Sequence, residues 1–143
     1  MSRGSAVKKK KILFLCTKNS VRSQMAEGLM RYFRGEAFDA CSAGVDPRWV
    51  HPLAIAVMQE IGIDISKQRS KHVDEFQSIA IDYVVSLCDN AAAACPLFDG
   101  SGTRIHHAFT NPADAEGTEE EKKSVFRRVM DELKEYILSF SSH

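Results

Sequence analysis

The most informative stretch of the chain is Lys11-Ile-Leu-Phe-Leu-Cys16-Thr-Lys-Asn-Ser-Val-Arg22-Ser23, which joins an unbroken apolar run to a short polar loop. An apolar run without polar alternation is typical of a parallel strand that is buried on both faces. After the loop, apolar residues recur at helical spacing, and Gly35 provides a stop. The sequence therefore predicts a strand that ends at Cys16, a loop and a helix.

Further strands and helices are predicted along the rest of the chain. Residues 37–43, 81–87 and 104–109 fit strands, Pro52 opens a helix that stops at Gly62, and Thr118 begins a capping box for the last helix. Strands that alternate with helices predict an α/β fold, a doubly wound sheet of about four parallel strands flanked by helices. Such sheets bind ligands at the carboxyl ends of their strands, which is where Cys16 and Cys88 fall.

Length and charge limit the possible functions. The 143 residues, 44% of them hydrophobic, suit one compact domain over residues 11–143, preceded by a disordered basic tail over residues 1–10. The formal net charge is zero, which argues against binding to nucleic acid or to a membrane surface. The apolar residues 12–16 are too few for a signal peptide or a membrane span. We therefore expect a cytoplasmic protein, and we expect it to act as a monomer.

Cys16 and Arg22 stand five residues apart in the loop that leads from the first strand to the first helix. A loop that runs into a helix start presents unpaired N–H groups and the positive end of the helix dipole, which together bind a tetrahedral dianion and favour a thiolate. Arg22 can grip two anion oxygens, and the hydroxyls of Ser20 and Ser23 can donate to the thiolate or the anion. An isolated match of this kind fits a buried cysteine before an ordinary turn equally well, but the strand and helix around it favour an anion loop. The predicted oxyanion-binding residues are Thr17, Lys18, Asn19, Ser20, Val21, Arg22 and Ser23.

The segment Cys16 to Gly28, CTKNSVRSQMAEG, resembles the phosphate-binding loop and first helix of the low-molecular-weight tyrosine phosphatase superfamily. Its Ser-Gln-Met-Ala-Glu-Gly continuation is similar to the thioredoxin-coupled arsenate reductases of that superfamily. Ser42-Ala-Gly44, Ile63-Asp-Ile-Ser66 and Leu87-Cys88 match the same branch in order, so the resemblance covers nearly the whole chain from Lys11.

Two further cysteines, Cys88 and Cys95, lie seven positions apart across an alanine-rich segment. On their own they fit small buried hydrophobic residues, and zinc is a poor fit because structural sites need closer cysteine pairs and four ligands. The resemblance implies a relay instead. Cys16 attacks arsenate, Cys88 attacks Cys16 and expels arsenite, and Cys95 takes over the disulfide, which thioredoxin then reduces. Cys41 has no counterpart in this relay and is interpreted as structural.

The resemblance also exposes a departure in a late loop. Members of this superfamily usually carry an Asp-Pro pair whose aspartate is the general acid, and this chain has Asn111-Pro112. An amide cannot deliver that proton, so hydrolysis of phosphate esters should suffer most. Asp114 could substitute, although a solvated loop carboxylate explains it equally well.

Three side chains, Asn19, Glu27 and Ser42, match residues that support the loop in the resembling reductases. Some of those enzymes bind potassium there with the help of an aspartate, and this chain has Lys71 at that position. The substitution suggests that the ammonium group replaces the ion, or else that Lys71 is an exposed lysine. We predict no bound metal and no bound cofactor, with thioredoxin as an external reductant.

Two other functions remain open from the sequence. One is a tyrosine phosphatase that uses Cys16 and Arg22, against which Cys88, Cys95 and Asn111 count. The other is a non-catalytic sensor of oxyanions or arsenicals, which Asn111 keeps open. Arsenate or a phosphate-like oxyanion is the expected ligand in every case.

Overall fold

The computed structural model describes residues 9–87 and 102–140. Four parallel strands form one sheet in the order β2-β1-β3-β4, with β1 at Lys10–Leu15, β2 at Phe38–Ala43, β3 at Tyr83–Ser86 and β4 at Thr103–His106. The predicted α/β class and the four parallel strands are confirmed. β1 begins at Lys10, one residue before the predicted start of the domain, and it ends at Leu15, so that Cys16 is the first residue of the loop.

Three α-helices accompany the sheet in the described residues: α1 at Arg22–Arg34, α2 at Pro52–Glu60 and α3 at Glu119–Ser139. Pro52 occupies the first turn of α2 as predicted, and the capping box of α3 between Thr118 and Glu121 is present. Short 3-10 turns lie at Val73–Phe76 and Pro112–Asp114.

The hydrophobic core lies on both faces of the sheet. The larger cluster joins Ile12 and Phe14 of β1 to apolar residues of all three helices, including Met25, Met58 and Phe126. The smaller cluster, on the other face, packs alternate strand residues against Val73 and Phe76 of the first 3-10 turn. Because side chains of one strand alternate between faces, a strand buried on both sides is apolar throughout, which explains the unbroken run of β1.

The strand order places the carboxyl end of β1 at the switch point of the sheet. β2 lies on one side of β1 and β3 on the other, so the connections that follow these strands diverge and leave a crevice above β1. The residue that follows β1 is Cys16. No described helix is long and apolar enough to cross a lipid bilayer.

Candidate active site

A cleft of about 710 Å³ opens above the end of β1, and Cys16 lies in its floor. The loop residues that follow Cys16 form the rest of the floor up to Arg22, while segments 48–51 and 109–114 form the walls. Cys16 is only 3% exposed. An incoming group therefore reaches its sulfur through the cleft.

The loop turns its carbonyl groups away from the cleft. Backbone N–H groups of residues 45–51 donate to the carbonyl oxygens of Thr17 at 2.9 and 3.0 Å, of Lys18 at 3.1 Å and of Ser20 at 3.0 Å. The N–H groups of residues 18–23 donate no hydrogen bond to another described residue. A helix start whose N–H groups are free of partners binds anions, and no side chain caps α1.

Arg22 stands at the same point, as the first residue of α1. One terminal nitrogen donates to the carbonyl oxygen of Phe109 at 3.0 Å, while Nε is buried and has no hydrogen-bond partner among the described residues. Leaving a buried guanidinium N–H unpaired is costly, and an anion oxygen in the cleft would satisfy it. Cys16 and Arg22 line the same cleft.

A buried hydrogen-bond chain reaches the sulfur of Cys16 from behind. The Cys16 Sγ lies 2.8 Å from the hydroxyl oxygen of Ser23, and that oxygen accepts from Asn19 Nδ2 at 2.7 Å. When Cys16 is a thiolate its sulfur carries no hydrogen, so the Ser23 hydroxyl is then the donor of this hydrogen bond. A hydroxyl that donates to sulfur stabilises negative charge there.

Asn19 is fixed in this orientation by its remaining bonds. Its Oδ1 accepts from the backbone N–H of Lys71 at 2.8 Å and from Gln24 Nε2 at 3.0 Å, and Nδ2 also donates to Ser42 Oγ at 3.0 Å. Asn19 adopts a left-handed backbone conformation with φ of 51°, which asparagine tolerates better than most residues. Its amide therefore holds both the shape of the loop and the direction of the hydrogen bond to Cys16.

Glu27 anchors the far end of the chain. It accepts from Ser42 Oγ at 2.6 Å and from Arg31 at 2.5 Å, and the Lys71 ammonium lies 3.6 Å from its Oε1. The side chain of Lys71 is only 12% exposed and also donates to a backbone carbonyl. The alternative of an exposed lysine is therefore wrong, because Lys71 is packed against Glu27. In the described part of the chain, no group of three or more His, Cys, Asp or Glu side chains is arranged to hold a metal ion.

In the late loop, Asn111 and Asp114 line the cleft. Asn111 Oδ1 accepts from the backbone N–H of Ala113 at 3.1 Å and so caps the 3-10 turn at Pro112–Asp114. Asp114 is exposed within that turn. The structure thus places an amide, with its oxygen already engaged, where the family's general acid is expected.

The sequence analysis missed several residues of the walls. Arg48, Trp49 and His51 line the cleft, and Trp49 is 72% exposed. The sequence signal for His51 was its position directly before Pro52, because the residue before a proline that opens a helix is the N-cap. His51 is the N-cap of α2, and its Nδ1 accepts from the backbone N–H of Leu53 at 3.0 Å. Nothing in the local pattern pointed to Arg48 or Trp49, because their contact with the cleft depends on how the 45–51 segment binds the loop.

The remaining cysteines and histidines do not line the cleft or lie outside the described residues. Cys88 and Cys95 lie outside the described residues, so their predicted roles stay predictions. Cys41 lies inside β2 rather than at its end, and burial raises the pKa of its thiol to about 12, which fits a structural thiol. His106 bonds Ser86 Oγ at 2.6 Å, while His107 stacks on Phe109 with ring centres 4.7 Å apart.

Together these features define an α/β protein with a buried cysteine and an arginine in one loop between the first strand and the first helix. The chain belongs to the low molecular weight phosphotyrosine protein phosphatase family, whose model matches residues 11–142. This confirms the resemblance seen in the sequence.

Several of the relatives and solved structures that are similar to this chain are named arsenate reductases. An arsenate reductase of Halalkalibacterium halodurans is 49% identical over 133 residues, covering 93% of this chain and 96% of the relative. A solved structure described as an arsenate reductase in oxidized state is 34% identical with a TM-score of 0.74, covering 90% of this chain and 93% of the other. An arsenate reductase in the phosphate binding state is also 34% identical, with a TM-score of 0.69 and coverage of 90% and 94%.

Proposed function

We propose that this protein reduces arsenate to arsenite through a relay of three cysteines. The observation that carries the proposal is the cleft itself, in which Cys16 lies beside loop N–H groups and an Arg22 Nε that have no hydrogen-bond partner among the described residues. Relatives named arsenate reductase, up to 49% identical over nearly the whole chain, support arsenate as the anion.

The first step forms a covalent adduct. The Cys16 thiolate attacks the arsenic of arsenate, a sulfur–arsenic bond forms, and one arsenate oxygen leaves as water after taking up protons. Arg22 and the loop N–H groups hold the other oxygens and offset the charge that develops on them. The hydroxyl of Ser23 stabilises the sulfur before the attack.

The second step transfers the electrons. The Cys88 thiolate attacks the Cys16 sulfur, a disulfide forms, and the pair of the sulfur–arsenic bond leaves with arsenic as arsenite. Cys95 then attacks Cys88, which moves the disulfide to the Cys88–Cys95 pair and frees Cys16. An external dithiol protein of the thioredoxin type reduces that disulfide. We place the reaction in the cytoplasm, where thiols are kept reduced, and assign it to a monomer.

The test is the oxidation of NADPH by purified protein with thioredoxin and thioredoxin reductase, with and without arsenate. Arsenate-dependent oxidation should be lost in Cys88→Ser and in Cys95→Ser. Cys41→Ser is the matched control and should retain activity, because Cys41 lies inside β2 away from the cleft. The absence of arsenate-dependent oxidation in the wild type would contradict the proposal.

Phosphatase activity is the second candidate, because the same cysteine, arginine and loop serve a cysteinyl-phosphate mechanism. Asn111 speaks against it, since its amide cannot protonate a poor leaving group. If arsenate elicits no NADPH oxidation while p-nitrophenyl phosphate is hydrolysed equally by the wild type and both relay variants, the chain is a phosphatase. If neither reaction turns over and arsenate still binds, it is a sensor.

A further inference from the structure

Two side chains that line the cleft, His51 and Asn111, share one arrangement of hydrogen bonds. Each is an N-cap, and each uses its acceptor atom on the backbone N–H two residues further on: His51 Nδ1 on Leu53 at 3.0 Å, and Asn111 Oδ1 on Ala113 at 3.1 Å. These bonds fix which atom of each side chain accepts.

The remaining nitrogen of each side chain is therefore a donor. Since Nδ1 of His51 accepts a backbone N–H, the hydrogen of the neutral ring sits on Nε2. Burial lowers the pKa of His51, which keeps the ring neutral at neutral pH. Asn111 likewise presents the two hydrogens of Nδ2. Neither His51 Nε2 nor Asn111 Nδ2 has a hydrogen-bond partner among the described residues.

Both donors are tied to the anion loop. The backbone N–H of His51 donates to the carbonyl oxygen of Ser20 at 3.0 Å, and Arg22 donates to the carbonyl oxygen of Phe109, two residues before Asn111, at 3.0 Å. The ring of His51 also packs on Phe126 of α3, with ring centres 5.0 Å apart. Their positions above the floor are therefore set by the same loop that holds Cys16.

We propose that His51 and Asn111 determine specificity by donating Nε2–H and Nδ2–H to the outer oxygen of a tetrahedral anion, so that the cleft selects a free inorganic oxyanion over a phosphate ester. The proposal rests on the proposed function in taking this cleft as the anion site. A free oxyanion directs an unsubstituted oxygen, a strong acceptor, away from the loop. In an ester the outermost oxygen is the bridging atom, a poor acceptor that carries a bulky group. Two neutral donors stabilise the outer oxygen of the free oxyanion. They give the bridging oxygen of an ester neither a good hydrogen bond nor a proton.

The test compares binding of inorganic phosphate and of phenyl phosphate by titration calorimetry. His51→Ser and Asn111→Ser keep a capping oxygen but lose the proposed donor nitrogen. Each should weaken phosphate binding about tenfold and change phenyl phosphate binding less than about twofold. His72→Ser is the matched control, because His72 caps a 3-10 turn through the same Nδ1 bond, to the N–H of Asp74 at 3.0 Å, outside the cleft.

Three results would overturn the proposal: unchanged phosphate affinity in both variants, equal losses for the two ligands, or the same loss in His72→Ser. Thermal unfolding of each variant shows whether the cap was retained. The outcome is separable from the proposed function. If the wild type reduces no arsenate but binds phosphate through both donors, the proposed function is wrong and the donor pair stands. If the wild type reduces arsenate but both variants bind phosphate normally, the proposed function stands and the donor pair is wrong.

Discussion

At the scale of single residues, the hydroxyl of Ser23 lies against the sulfur of Cys16. Its hydrogen bond to Cys16 Sγ at 2.8 Å is buried, so water does not replace it readily. A hydrogen bond to a charged group contributes about 1.5–3 kcal/mol. We expect Ser23→Ala to slow alkylation of Cys16 by iodoacetamide at neutral pH about tenfold or more, as measured by mass spectrometry.

Ser20→Ala is the comparison for this prediction. Ser20 lines the cleft, but its hydroxyl makes no hydrogen bond to Cys16. Alkylation of Cys16 in Ser20→Ala should stay within about twofold of the wild type. Equal rates in Ser23→Ala and Ser20→Ala would mean that the buried chain does not act on the sulfur.

Lys71 supplies a fixed positive charge beside Glu27, 3.6 Å from its Oε1. Lys71→Asp removes that charge and places a second carboxylate near Glu27, with the oxygens of Asn19 and Ser42 close by. We expect the variant to lose about 1–3 kcal/mol of stability, because the buried Glu27 loses one of its three partners. We further expect potassium chloride, and not an equal concentration of choline chloride, to restore part of it.

The measurement for Lys71→Asp is the thermal unfolding midpoint across a salt series, with the wild type in parallel. The wild type should respond equally to both salts, since its cation is covalently attached. A variant that potassium does not stabilise would mean that Lys71 is a packing residue and does not replace an ion.

At the scale of structural elements, the connection after β2 approaches the loop so closely that only glycine fits. A Cβ on Gly44 would lie 2.5 Å from the carbonyl oxygen of Thr17 and 2.7 Å from that of Cys16. Both contacts are with backbone, which cannot rotate away. We expect Gly44→Ala to displace the loop, to cost about 2–4 kcal/mol of stability and to abolish anion binding, as measured by urea unfolding and phosphate titration.

Gly62→Ala is the control, because Gly62 has nothing within 4 Å of an added Cβ and its φ of 83° makes alanine strained. It should cost about 1 kcal/mol and leave phosphate binding intact. Similar losses of binding in the two variants would mean that Gly44 acts through general stability.

The elements themselves could be predicted to within a few residues because their signals are local. A few neighbouring residues are enough to predict each element: the apolar run predicts β1, the cap at Thr118 predicts the start of α3, and Pro52 predicts the start of α2. The floor of the site was equally accessible, since Cys16 and Arg22 lie in one loop. Apart from Asn111 and Asp114, the walls were not, because the segments that carry Trp49, His51 and Phe109 are held at the cleft by tertiary hydrogen bonds that no short pattern encodes. The loop-supporting role of Glu27 and Ser42 was predicted from the family resemblance.

At the scale of the whole molecule, His51 links stability to pH. Burial lowers its pKa below the ordinary 6.5, and Glu119 opposes that shift. As pH falls, the unfolded chain therefore binds a proton before the folded one does. We expect the stabilisation that comes from the neutral, folded-state His51 to be complete above about pH 6.5. It should be lost as pH falls through the lower pKa of the folded protein. Protonation at Nδ1 would also break the cap of α2.

Urea unfolding from about pH 5 to pH 7.5 measures this effect. His51→Asn keeps a capping oxygen and removes the titrating group, so its stability should fall less across that range than that of the wild type. Other charged groups around the cleft, among them Arg48 and Asp114, are unchanged in the variant. Parallel curves for the two proteins would contradict the assignment to His51.

The division of the cleft into a floor and walls affects how the protein can evolve. The floor is one contiguous loop, locked by buried side chains, whereas the walls come from two distant segments, 48–51 and 109–114. Substitutions in the walls can change which anion is accepted while the reactive sulfur keeps its environment. Descendants of one ancestral gene can therefore diverge in substrate through a few substitutions in the walls.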